Sequence, residues 1–208
     1  MNPKTFMPLD ALLKIRTYFF SKNEKRDDPH IAYYAELFND EQSEKHGKLL
    51  AGAHRPMNGN RPERLLNRLE ENETILLEVR KLLVESVRVE KNISPASVWL
   101  LDNFYLIEEQ IAIARKHLPK GYSKSLPYVM DGASTSIPRI YDIVSELISH
   151  SDGRVDIKGL SRFVAAYQTT TLLTLGELWA IPIMLRLAVI ENLRRVGVMI
   201  ALDMIGHH

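Results

Sequence analysis

From Pro62 to about Lys91 the chain holds no further glycine or proline, and its apolar residues keep a helical period. Leu65, Leu69, Leu76, Val79, Leu83 and Val87 recur at gaps of three, four or seven, which puts them on one helical face. Glu71, Glu78, Arg80, Lys81 and Glu85 fall on the other faces. About thirty residues at ~1.5 Å each make a rod of about 45 Å. A compact chain of this length has a radius of gyration of only about 17 Å, so the other elements must be arranged along the rod.

Proline and glycine cut the remainder into further helical segments. Asp10 to Phe20 reads as a short first helix, followed by the mixed-charge run Lys22 to Asp28, and Ile31 to Lys45 is helix-like. Gly47, Gly52, Pro56, Gly59 and Pro62 make residues 47–62 the least regular part of the middle. Ser94 and Pro95 suit the cap and first position of a helix whose apolar face is Leu100, Phe104, Ile107, Ile111, Ala114 and Leu118. Pro119-Lys120-Gly121 ends it, and residues 119–137 read as a long connection with one turn of helix. Pro138 opens a helix ending near His150, Ser151-Asp152-Gly153 is a turn, and Asp156 caps a helix reaching Gln168. Thr174 and Glu177 form a capping box for a last helix from Leu175 to about Ile205. Pro182 is expected to kink that helix, and Glu191 and Arg195 to pair on its surface. The fold expected is all-α, an elongated bundle of about six to eight helices, two of them long, at about 62–91 and 175–205. Residues 1–205 form one domain, residues 1–30 being peripheral, and Gly206-His207-His208 reads as a tag remnant with the natural chain continuing.

The 208 residues contain no cysteine, which excludes disulfides, thiol catalysis and iron–sulfur clusters. With 27 Lys+Arg against 26 Asp+Glu, nothing points to nucleic acid. Asp10, Lys14 and Arg16 interrupt the opening apolar stretch, unlike a secretion signal. The longest apolar tract, Leu178 to Ile205, carries Arg186, Glu191, Arg194, Arg195 and Asp203. Each costs about 2.5–3.5 kcal/mol at a bilayer centre, so this is a buried or amphipathic helix and no transmembrane helix is expected.

Candidate sites are few. Asp102, Glu109 and Lys116 share a face, with Glu108 at its edge, and two carboxylates so placed suit acid–base work on a sugar. The plainer reading is a solvated or interhelical polar stripe, which Arg194 and Arg195 of the last helix would meet. His46 and His54 lie eight apart, a poor match to the three-or-four spacing of helical metal ligands, and are expected to cap or to sit at the surface. No metal and no cofactor is expected in this fragment. Asp152 to Asp156 fails as a calcium loop, with Arg154 at the third position. Trp99 and Trp179 suit a sugar platform, but helix packing in the core is the preferred reading. Tyr122 and Tyr128 are expected to be surface residues.

Two stretches carry more. Val98 to Leu118 reads VWLLDNFYLIEEQIAIARKHL and Leu173 to Arg195 reads LTLGELWAIPIMLRLAVIENLRR. Between and before them come Leu118-Pro119-Lys120-Gly121, Pro138-Arg139-Ile140-Tyr141, Phe163 with Ala166-Tyr167-Gln168, and Arg64 to Asn72. In content and order these blocks resemble the N-terminal region of the bacterial cyclic β-1,2-glucan synthases, over about residues 40–200.

The resemblance implies a large inner-membrane enzyme that polymerises glucose from UDP-glucose with a divalent metal, carries the growing chain on the protein and releases it as a ring. A glycosyltransferase module would follow this region, with a glycoside-phosphorylase-like region near the C-terminus. The Asp-x-Asp and Gln-x-x-Arg-Trp elements of such a transferase do not occur here: no two aspartates lie two apart, and neither tryptophan follows an arginine. The implied role is a noncatalytic helical module, cytoplasmic and soluble in itself, that positions or regulates the transferase. Its partner would be the remainder of the same polypeptide, with β-1,2-glucan a further candidate. The expected interaction surface is Asp102, Asn103, Glu108, Glu109, Gln110, Glu177, Trp179, Arg194 and Arg195. A free-standing helical interaction protein and a carbohydrate-binding module are the alternatives.

Overall fold

A computed structural model describes residues 38–59, 64–88, 94–129, 137–151 and 155–206. The expected helix Asp10 to Phe20 and the charge run after it lie outside them. The described residues form seven α-helices: α1 Asp40–Ala53, α2 Leu65–Arg88, α3 Pro95–Asp102, α4 Phe104–His117, α5 Arg139–Ser149, α6 Ile157–Gln168 and α7 Leu175–Gly206. Two short strands, β1 Pro56–Met57 and β2 Tyr128–Val129, pair antiparallel, with Pro56 opposite Val129. The fold is all-α, as its sequence predicts.

Helix α7 is the axis. It packs against α5 and α2 most extensively, with α4 and α3 also alongside, while α1 lies on α6. Leu65, Leu69, Leu76, Val79 and Leu83 bury their face as the spacing requires, although Val87 at the far end is exposed. Leu76 and Val79 of α2 lie against Gly197 of α7, where a Cβ would already be in contact with Val79 at 3.4 Å, so the two long helices approach closely there.

The caps explain most helix starts. Ser94 accepts from the Ser97 backbone at 3.2 Å and Asp156 from that of Gly159 at 2.6 Å. Thr174 and Glu177 complete their box: the Thr174 N–H donates to Glu177 Oε2 at 2.8 Å, and the Glu177 N–H to Thr174 Oγ1 at 3.3 Å. Helix α7 runs through Pro182 without a break in its span. The connection after α4 contains one 3₁₀ turn, Tyr122–Ser125.

Three expectations fail. Ile31 to Lys45 is not one helix, because Asn39 is extended and forms a capping box with Gln42 that starts α1 at Asp40. That helix then continues through Gly47 and Gly52, since Gly47 serves close packing: a Cβ there would stand 3.0 Å from the Phe163 carbonyl oxygen of α6. The expected helix from Pro95 to Leu118 is two. Asn103 leaves helical geometry at φ −103°, ψ 8°, and its side-chain amide donates to the Trp99 carbonyl at 2.8 Å. A short polar side chain that bonds its own backbone competes with the helix ladder. The apolar face from Leu100 to Leu118 nonetheless stays buried throughout.

Candidate functional site

The expected polar stripe is solvated. Asp102, Glu109 and Lys116 are exposed, Glu108 pairs with Arg80 at 3.0 Å, and Gln110 accepts from Arg186 Nε at 3.0 Å. Arg194 and Arg195 do not reach the stripe, because both turn to Glu191 on their own helix, at 4.0 and 3.3 Å. Glu177 and Arg194, expected at an interaction surface, are buried: each carries a charge that finds its partner inside the bundle.

Glu191, expected on the surface of α7, is the centre of this interior. Arg68 of α2 grips its carboxylate with both arms of the guanidinium, Nε reaching Oε2 at 2.8 Å and Nη2 reaching Oε1. Tyr141 of α5 donates to Oε2 at 2.6 Å. One carboxylate thereby joins α2, α5 and α7. Burial works to raise the Glu191 carboxyl, but the charge and hydrogen bonds of Arg68, the charge of Arg195 and the Tyr141 hydroxyl outweigh it and hold the group well below the usual carboxylate range. Burial, and then the Glu191 charge, push the Tyr141 hydroxyl well up.

A second ion pair lies at the same end of α5, two residues before Tyr141. Arg139 donates to Glu177 through Nε at 2.8 Å and through Nη2 at 2.7 Å, and to the Leu172 carbonyl at 3.1 Å. The Arg139 guanidinium also lies 5.9 Å from the Tyr167 ring centre. Tyr167 continues the chain of contacts: its hydroxyl is 2.8 Å from His54 Nδ1, and His54 Nε2 is 2.9 Å from Asp142. His54 is the C-cap residue of α1, yet its ring is buried, so it is no surface histidine. Burial pushes the Tyr167 hydroxyl up to about 12, against the lowering by Arg139.

Apart from His54 and Asp142, these residues belong to the blocks singled out in the sequence. Arg68 comes from the Arg64–Asn72 block, Arg139 and Tyr141 from Pro-Arg-Ile-Tyr, Tyr167 from Ala-Tyr-Gln, Glu177 from Gly-Glu-Leu-Trp-Ala, and Glu191 with Arg195 from Glu-Asn-Leu-Arg-Arg. Blocks as far as 123 residues apart meet in one interior.

The chain is similar to a cyclic β-(1,2)-glucan synthase. The relative is NdvB of Rhizobium meliloti (strain 1021), 34% identical over 131 residues, which are 63% of this chain and 5% of the synthase. The chain therefore spans only a small part of that relative's length. No family model matches. The resemblance read from the blocks is borne out, and with it a link to cyclic glucan synthesis. No helix among the described residues is long and apolar enough to cross a membrane.

Chemically, this interior holds charge in place. Glu191 is held ionised, and the Tyr141 and Tyr167 hydroxyls are held protonated, across the neutral range. The outside of α7 differs. Leu175, Trp179, Val189 and Val196 recur on one helical face and are all exposed, Trp179 at 75%. Trp99 is also exposed, at 57%. Helix packing in the core was the preferred reading of both, with Trp179 also placed on the expected interaction surface; both point away from the core. Tyr128, expected at the surface, is instead buried in β2. Periodicity alone did not separate the two faces of α7, since apolar residues line both.

Proposed function

We propose that the chain is a noncatalytic helical module of a cyclic β-1,2-glucan synthase, lying on the cytoplasmic side of the inner membrane. There it docks on and positions the glycosyltransferase that polymerises glucose from UDP-glucose. The observation carrying this reading is that the blocks resembling the synthases supply a buried ionic frame, with its carboxylate and phenols locked away from neutral-pH proton exchange. Such a frame favours one geometry over others. The missing Asp-x-Asp element supports the same reading, because a nucleotide sugar's diphosphate needs a carboxylate-held metal. The exposed apolar face of α7 is the docking surface, the remainder of the synthase being its partner.

The test is incorporation of radiolabelled UDP-glucose by membranes from cells producing the synthase, with Leu175→Glu and Trp179→Glu together in this segment. Glucan synthesis should collapse while the purified variant chain keeps its melting temperature. Undiminished synthesis overturns the docking role. Glucosyl transfer by the purified chain alone, supplied with UDP-glucose and a divalent ion, overturns the noncatalytic one.

The exposure of Trp99 and Trp179 favours a second reading, a carbohydrate-binding surface for the growing β-1,2-glucan.

A further inference from the structure

At the end of α5 remote from the Arg139–Glu177 pair, three metal-ligand atoms converge. His46 Nε2 of α1 lies 3.0 Å from Glu146 Oε2, and His150 Nε2 lies 3.5 Å from the same oxygen. All three atoms fall within 4.8 Å of one another. His150, the C-cap residue of α5, follows Glu146 by four residues, the interval that brings two ligands to one helical face. His46 comes from the neighbouring helix, 100 residues earlier. His54, the histidine nearest to His46 in the sequence, has its ring committed to Tyr167 and Asp142. The partners that suit His46 are near only in space.

We propose that His46, Glu146 and His150 form a site for one divalent transition metal of the zinc class. Two imidazoles and one carboxylate are a donor set that zinc and its neighbours prefer, whereas magnesium and calcium prefer oxygen alone. The rings are held in orientation by their neighbours. Phe38 stacks on His150 with centroids 3.9 Å apart and planes within 7°, and its backbone N–H donates to the His150 carbonyl at 3.1 Å. Phe163 lies 6.2 Å from His46 on another side. The three ligand residues are half-buried, so the site stays open to solvent. Both Nε2 atoms lie within 3.5 Å of a single carboxylate oxygen, so the ring lone pairs of neutral imidazoles and that oxygen can serve one cation. Three protein ligands leave a coordination position for water or another small donor. Because the ligands come from α1 and α5, the bound ion would clasp these helices together. This inference does not depend on the docking role proposed above.

The experiment uses the purified chain with His207→Ala and His208→Ala, so that the terminal pair cannot chelate. After chelator treatment it is titrated with zinc and, separately, cobalt, followed by competition with a chelating dye, melting temperature and the visible cobalt spectrum. One equivalent should bind, raise the melting temperature and, for cobalt, give a ligand-field spectrum. Glu146→Gln and His150→Asn should each weaken binding by at least ~10–100-fold, the loss that even outer-shell changes produce. Circular dichroism on each variant without metal verifies that it folds, and His46→Gln gives an independent third ligand test. The site is refuted if no equivalent is retained, if folded ligand variants bind as the parent does, or if magnesium stabilises as strongly as zinc.

Discussion

Tyr141 donates its hydroxyl proton to Glu191 at 2.6 Å, on the same carboxylate oxygen that accepts from Arg68 Nε at 2.8 Å. A neutral donor from α5 and a cation from α2 thus share one atom of α7. Removing any of the three leaves the others incompletely matched, which makes their energetics strongly coupled.

Arg68→Ala should cost up to about 3–5 kcal/mol, because buried Glu191 loses its bidentate partner, and Glu191→Ala less, because Arg68 is only part-buried. The double variant should cost clearly less than the sum. Urea denaturation of the four proteins completes the cycle, and additive losses would show that the pair is not coupled. Tyr141→Phe should cost about 1.5–3 kcal/mol, the range for a hydrogen bond to a charged group.

Stability should fall at both extremes of pH, through different residues. An unfolded glutamate takes up its proton near about pH 4.3, whereas folded Glu191 resists protonation to lower pH. The unfolded chain then binds more protons, so the stability contributed by Glu191 is lost as pH falls below about 4.3. Glu191→Gln should flatten that acid limb. An unfolded tyrosine ionises near about pH 10, while Tyr167 holds its proton to about 12, so its contribution is lost as pH rises through this window. Denaturation midpoints across the pH range, with phenolate absorbance on the alkaline side, check both limbs; an acid limb unchanged in Glu191→Gln would remove Glu191 as its source.

Two glycines of one helix should respond to alanine with opposite signs. At Gly52 a Cβ meets nothing within 4 Å, so Gly52→Ala should stabilise by about 0.4–1 kcal/mol. At Gly47 the new carbon would press on the Phe163 carbonyl at 3.0 Å, and a backbone oxygen yields poorly. Gly47→Ala should therefore destabilise despite its better helix propensity, and thermal melts of the two variants side by side decide the matter.

If the exposed tryptophans bind glucan, adding β-1,2-glucan should change their fluorescence, and Trp99→Ala or Trp179→Ala should remove part of the response. Both variants should melt within about 0.5 kcal/mol of the parent, as exposed positions do. A fluorescence signal indifferent to glucan rejects the carbohydrate-binding reading and leaves the docking reading intact.

The helices were legible where their signals are local. Asp156 and Thr174 bond backbone groups three residues away, so a cap can be read from neighbours alone. Asn103 carried the same kind of local signal, a side chain able to bond its own backbone, but the unbroken apolar period around it masked the interruption. The site was less legible because its contacts are remote. Glu191 and Arg195 read as a surface pair since their spacing is visible, whereas Tyr141 and Arg68, which bury Glu191, stand 50 and 123 residues away. The resemblance blocks named most of these residues without revealing that they touch. The partners of His46 are hidden along the chain for the same reason, Glu146 standing 100 residues away.

The long separation between Arg68 and Glu191 also bears on how the chain is made. Synthesis proceeds from the N-terminus at about 5–20 residues per second, so the 123 residues between them take about 6–25 seconds to add. During that interval α2 has emerged from the ribosome with its guanidinium in water and its apolar face uncovered. Helix α7, the element that covers both, is the last of the seven to appear. Helices α2 and α5 are therefore made before the element they pack on most extensively, and their final arrangement is completed only when α7 arrives.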